Sequence, residues 1–153
     1  MSIKQKISSL GLSLPTAAAP VAAYVPAVKS GNLVFTAGQL PVVDGKLLKE
    51  GKVGGDVRAE DAKELAQICA LNALAAISLV ADLDQIERVV RVGGFVNCAP
   101  GFTAIPGVIN GASEFLIKIF GDVNGKHART AVGVAELPLN APVEVEVIVQ
   151  LKN

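Results

Sequence analysis

Between Val143 and Val149 the chain reads Val-Glu-Val-Glu-Val-Ile-Val, and this alternation narrows the possible folds more than any other stretch. Successive side chains of a strand point to opposite faces. Val143, Val145, Val147 and Val149 therefore share one face, and Glu144, Glu146 and Ile148 share the other. Such a strand buries valines in a core and holds two carboxylates on its far side. Residues 128–134 read as the strand before it, with Pro138 in the connecting turn. Taken as a pair, the two strands put Arg129 at the mouth of the first and the carboxylates in the second. A guanidinium is always charged and offers a fork of donors matched to a carboxylate, so the combination points to a small-molecule site. The competing reading is an ordinary ion pair between Arg129 and Glu144 or Glu146 across the strands.

A chain of 153 residues is most simply one domain, spanning 1–153, with residues 1–23 as an N-terminal extension. Its apolar fraction is 51% and its charged fraction only 18%, which points to a surface partly hidden in an oligomer. The 14 basic residues balance 14 acidic ones, so no concentrated basic surface is available for nucleic acid or an anionic membrane. Cys69 and Cys98 have no metal-ligand spacing, and with the single histidine, His127, they argue against a metal site. The expected compartment is the reducing cytoplasm. Lys4, Lys6 and the Ala-x-Ala at 17–19 loosely mimic a secretion signal. Ser8, Ser9, Gly11, Ser13 and Pro15 interrupt its apolar part, so no cleaved leader is expected. No run approaches the roughly 20 apolar residues that span a bilayer.

Ile3, Ile7 and Leu10 predict a short amphipathic helix, followed by an extended run at 15–23. Strands are expected at 24–28 and 33–36, then a hairpin at 42–47 around Asp44-Gly45. After a glycine-rich loop at 51–55, Asp56 is placed to cap a helix running to about residue 81, with Glu60 and Asp61 in its first turn. A strand at 89–97, a loop at 99–107 and a helix at 108–120 ending before Gly121 follow. A turn at 125–127 then leads into the last two strands. The order βββ-α-β-α-ββ implies an α+β layer, one mixed sheet with two helices on one face. The opposite sheet face needs a cover, and subunit association supplies one most economically.

Three segments resemble the Rid/YjgF (reactive intermediate deaminase, also endoribonuclease L-PSP) family: 24–28, 31–41 and 128–147. The similarity runs in the same order from Tyr24 to Leu151, with a looser fit at 93–110. It implies a chorismate-mutase-like single domain forming a homotrimer, with ligand clefts between subunits. It further implies hydrolysis of enamine or imine intermediates such as 2-aminoacrylate to 2-keto acids and ammonia, with no metal or cofactor. By this resemblance Arg129 grips the substrate carboxylate and Glu144 positions the attacking water. Tyr24 lines the cleft from a neighbouring subunit, Gly38 offers a backbone amide, and Asn110 matches a cleft asparagine. Two positions depart from the family pattern. Ala37 stands where deaminases carry serine, and Ala131 where many members carry cysteine.

Each candidate has a plainer reading. Glu146 reads as structural and Tyr24, the only tyrosine, equally as core packing. His127 reads as solvated surface and Cys98 as buried filler. The leading expectation is an enzyme, an enamine/imine deaminase acting on a small carboxylate-bearing metabolite. The alternative is a non-catalytic trimer that binds or senses a keto acid. A ribonuclease or translation inhibitor is disfavoured by the charge balance and scarce aromatics.

Overall fold

The computed structural model describes residues 1–17, 19 and 22–153, so positions 18, 20 and 21 of the expected extended run lie outside the described residues. Its elements in chain order are α1 (Ile3–Ser9), β1 (Ala27–Ser30), β2 (Leu33–Thr36), β3 (Val42–Val43), β4 (Lys46–Leu47), α2 (Ala59–Ile77), β5 (Ile86–Asn97), α3 (Ile105–Asn124), β6 (Ala128–Val134) and β7 (Val143–Leu151). Five strands form one mixed sheet in the order β1-β2-β7-β5-β6, with β5 and β6 parallel and every other pair antiparallel. The β3–β4 hairpin stands apart as its own small sheet. Its turn places Asp44 at φ 51° and Gly45 at φ 77°, the double left-handed conformation that Asp-Gly favours.

The last two strands do not pair with each other as the sequence suggests. β6 and β7 are not neighbours, because β5 lies between them. The cause is α3. A helix that leaves β5 and packs back on the sheet returns the chain parallel to β5, and β6 takes the free outer edge. β7 then fills the centre, between β2 and β5, where its valine face is best buried. Val143, Val145, Val147 and Val149 are each at most 1% exposed.

α2 and α3 cover that valine face. α2 is a band of small residues, Ala62, Ala66, Ala70, Ala73 and Ala76 among them, which lets it lie close to the sheet. It begins at Ala59 rather than after an Asp56 cap, and its N-cap Arg58 makes no side-chain capping bond. The 52–57 loop folds on itself instead, Val57 N donating to Lys52 O at 3.1 Å and Gly54 N to Val57 O at 2.9 Å. Glu60 and Asp61 do occupy the first turn. The helix ends at Ile77, short of residue 81.

α3 starts earlier than expected, with Pro106 in the first turn, where its missing N–H costs no helix bond. Helical geometry breaks at Gly121 (φ 84°), the position expected to end it. α1 is fixed by a capping box between Ser2 and Gln5 and buries Ile3 and Ile7. β1 begins at Ala27, so Tyr24 lies in the segment before it and is 51% exposed.

Among the described residues no helix covers the other sheet face. Strand register places Val28, Phe35, Ile148, Glu146, Glu144, Arg91, Gly93, Phe95, Thr130 and Val132 on it.

Helix spacing depends on one glycine. A Cβ on Gly111 of α3 would fall inside the Lys63 carbonyl of α2, which is backbone and cannot swing away. Gly111→Ala is therefore expected to lower unfolding free energy by about 2 kcal/mol or more in urea titration, where a solvent-facing helical Gly→Ala would raise it. An unchanged or raised stability would show that the helices do not cross this closely.

Candidate functional site

Arg129 lies on the edge strand β6, opposite Val92 of β5, which in turn faces the buried Val147. Its side chain therefore leaves the sheet on the helix side. There α3 presents Asn110 and Ser113, three residues apart and so on one face of the helix. Arg129 Nη1 donates to Asn110 Oδ1 at 2.8 Å and to Ser113 Oγ at 3.2 Å, and Nη2 reaches the Pro106 carbonyl at 3.5 Å. All three acceptors are neutral. Among the described residues Arg129 takes part in no ion pair.

The register removes the ion-pair reading. Glu144 lies opposite Phe95, and Phe95 opposite Val132, on the helix-free face; Glu146, Gly93 and Thr130 form the next row of that face. Arg129 and Glu144 thus stand on opposite faces of the sheet, with β5 between their strands. Within one chain the structure brings Arg129 and Asn110 together, with Ala131 next on the same face. It brings Glu144 and Gly38 together elsewhere.

The second group is built by a bulge. Phe35 pairs with Ile148, and Gln39 with Val145, so four steps of one strand match three of the other. Thr36 Oγ1 accepts the Val147 N–H at 2.9 Å where the ladder skips. Ala37 and Gly38 are displaced over β7. A Cβ on Gly38 would overlap the Glu144 carboxylate, so only glycine lets that carboxylate lie against the backbone. Burial pushes the Glu144 pKa above the ordinary carboxylate range, and the charge of Glu146 adds to the shift.

His127 is not the solvated side chain the sequence suggested. It is half-buried, with Nδ1 2.6 Å from the Gly125 carbonyl and Nε2 2.9 Å from Ser113 Oγ. A carbonyl only accepts, so Nδ1 carries the proton and Nε2 accepts from the Ser113 hydroxyl. Burial lowers the His127 pKa and Arg129 lowers it further, while the Gly125 bond opposes both. Ser113 went unnoticed in the sequence, although its spacing from Asn110 puts both on the helix face toward β6. A cavity of about 320 Å³ is lined by Ser113, Ile117, Lys126, His127 and Arg129, with no carboxylate among the described residues of its wall. A larger one, about 770 Å³, lies beside Met1, Lys6, Asp84 and Phe120 and touches none of these residues.

Cys98 is half-covered, its sulfur against Gly133 on β6, and burial raises its pKa, which leaves a poor nucleophile. Among the described residues no three His, Cys, Asp or Glu side chains gather as metal ligands would. No helix among them is long and apolar enough to cross a membrane.

A mixed sheet with two helices on one face makes this an α+β protein, with an arginine free of ion pairs among the described residues at the sheet edge. The YjgF/chorismate mutase-like family model matches residues 4–151. Protein TCP17 of Trypanosoma cruzi is 40% identical over 152 residues, covering 99% of this chain and 95% of its own. The 2-iminobutanoate/2-iminopropanoate deaminase of Dermatophagoides farinae is 34% identical over 141 residues, covering 92% and 95%. Among solved structures, protein Atu1372 of Agrobacterium tumefaciens superposes with a TM-score of 0.88 at 43% identity, covering 98% of this chain and 92% of that one. The chain belongs to the YjgF/chorismate mutase-like family.

His127 is the only histidine, so its ring protons can be followed without assignment ambiguity. Its NMR titration midpoint is expected below the ordinary value of about 6.5 and closer to it in Arg129→Gln. A midpoint at or above that value in the wild type would contradict the buried, cation-facing ring described here.

Proposed function

We propose that the protein is a hydrolytic deaminase of small 2-imino or enamine acids, and that its sites are completed between the protomers of a homotrimer. One observation carries the reading. Arg129 is a half-buried cation aimed by neutral acceptors alone, so its charge is left for an external anion. The named deaminase among the relatives makes a 2-imino acid carboxylate the favoured anion.

In this mechanism Arg129 holds the carboxylate, and Asn110 steadies the guanidinium. Glu144 orients a water toward the imine carbon and accepts part of its proton. The water oxygen bonds to that carbon, the nitrogen takes up a proton, and the carbinolamine collapses to a 2-keto acid and ammonia. The Gly38 N–H, freed from the ladder by the bulge, is available to the developing charge. Imine hydrolysis is easy in water, so positioning supplies most of the acceleration. Tyr24, exposed ahead of β1, lines the cleft of a neighbour.

Arg129 and Glu144 act together only across a subunit boundary, the edge β6 of one protomer meeting the open face of the next. The open face suits association: Val28, Phe35 and Val132 are 52%, 40% and 38% exposed in the single chain. A second reading, a keto-acid-binding trimer without turnover, draws on Ala37 and Ala131, which leave two cleft positions without a polar side chain.

With 2-aminoacrylate generated in situ by a serine-dehydrating enzyme, the wild type is expected to accelerate keto-acid formation. Arg129→Ala should lose about a hundredfold in kcat/KM, the worth of a charge-assisted pair of bonds. Keto-acid binding without acceleration would favour the second reading; neither would refute both.

Co-assembly separates the two half-sites. Arg129→Ala and Glu144→Gln are each expected to be impaired, yet their random equal mixture in a ring should recover about a quarter of wild-type activity. No recovery from well-mixed trimers would place both residues in one protomer's site.

The acid limb of kcat/KM should follow Glu144, which works ionised. Its pKa is raised, so activity falls as pH drops through a value above the ordinary carboxylate range. Glu146→Gln removes one cause of the shift and should move that limb to lower pH. An unmoved limb would free Glu144 from its neighbour's charge.

A further inference from the structure

We propose that Ser113 and His127 are positioning residues for Arg129, acting as an orienting chain that runs from the Gly125 carbonyl through the imidazole and the hydroxyl to the guanidinium. This rests on the reading of Arg129 as the anchor of the substrate carboxylate. The directions of the bonds leave little freedom. The Gly125 carbonyl takes the Nδ1 proton, so Nε2 has only a lone pair to offer. That lone pair takes the Ser113 proton, which turns an oxygen lone pair outward toward Arg129. Without His127 the hydroxyl has another acceptor at hand, the carbonyl one turn back in its own helix, and would rotate away.

Asn110 and Ser113 give Nη1 one acceptor for each of its protons, while Nη2 has only the Pro106 carbonyl at 3.5 Å; without either acceptor Nη1 is free to turn. Such fixing matters for an edge strand, where no further strand holds the arginine. The described residues lining the two cavities here add no competing anion. Lys126 shares the cavity with His127 and Arg129, Arg88 lies with Lys126 and His127 in the adjoining one, and neither cavity has a carboxylate in its wall.

The test pairs a ligand-free spectrum with a binding measurement. The chain has four arginines, Arg58, Arg88, Arg91 and Arg129, so the Arg129 guanidinium can be assigned by substitution. Its Nη protons are expected to be resolved by slow rotation in the wild type and in Ser113→Thr, which keeps the hydroxyl. They should average in Ser113→Val, of nearly the same shape, and in His127→Phe. Pyruvate affinity should fall about fivefold in Ser113→Val, the worth of one hydrogen bond, and stay within about twofold in Ser113→Thr. Thermal midpoints of the two Ser113 variants separate this from misfolding.

A wild-type Arg129 spectrum in either Ser113→Val or His127→Phe would overturn the proposal. Equal pyruvate affinity in the Thr and Val variants would do the same. If the wild type shows the fixed guanidinium, Ser113→Val loses it, and yet nothing binds pyruvate, the chain of bonds stands and the functional reading of Arg129 fails instead.

Discussion

Burial of the valine face of β7 is the constraint on which the rest depends. That strand has neighbours on both sides and two helices over one face, so its register leaves no freedom: a slip of one residue would turn Glu144 and Glu146 into the core. Fully burying each valine is worth about 1.5–3 kcal/mol, and inverting the strand would also bury two carboxylates. Everything functional inherits this choice of faces. The carboxylates are held out on the helix-free side, and the bulge at Ala37 and Gly38 is stacked against the same strand. α3, packed over the valines, brings Asn110 and Ser113 to the edge where Arg129 waits.

The alternation in 143–149 was legible because a strand's period is local, and so were the two helices, the Asp-Gly hairpin and the layered α+β class. Helix starts were less so. Asp56 has the chemistry of a cap, but residues 52–57 are already closed in turns, and Val53 is tied to Asn97 and Ala99 by backbone hydrogen bonds, which outrank the side-chain signal. The adjacency of β6 and β7 was misread for a related reason. A short connection suggests a hairpin, yet α3 fixes β6 parallel to β5, and strand order is a long-range property that no local pattern encodes.

Candidate residues could be named from the sequence, but their geometry could not. Arg129, Asn110, Gly38 and Glu144 were found through resemblance, while their division between two faces follows only from the register. His127 was misjudged because nothing nearby in sequence reveals a serine one turn further along a helix 14 residues upstream. Ser113 itself carries no local mark, and its role emerges only once α3 is laid against β6.

The division of charge also bears on assembly. Arg129 is a cation without a counterion on one face, and Glu144 is a carboxylate made less acidic by burial and by Glu146 on the other. Arg129 would be quieted locally by a carboxylate in place of Asn110, which the chain does not have. On the other face Arg91, one row away, spends its guanidinium on Thr130 of the Gly93 row and forms no ion pair with Glu144 or Glu146 among the described residues. Repulsion between Glu144 and Glu146, about 7 Å apart as alternate residues of a strand, is at most about 2 kcal/mol and less at the exposed Glu146, so burial dominates the shift. Burial is also the factor that docking of a neighbour would deepen. An interface over this face would strengthen the field at Glu144 as it excluded water, and a neighbour's guanidinium arriving with its own anion would offset the cost. On the proposed arrangement, completion of one half-site by its twin would link assembly to ligand binding, and the apolar residues around it would need only to supply the area.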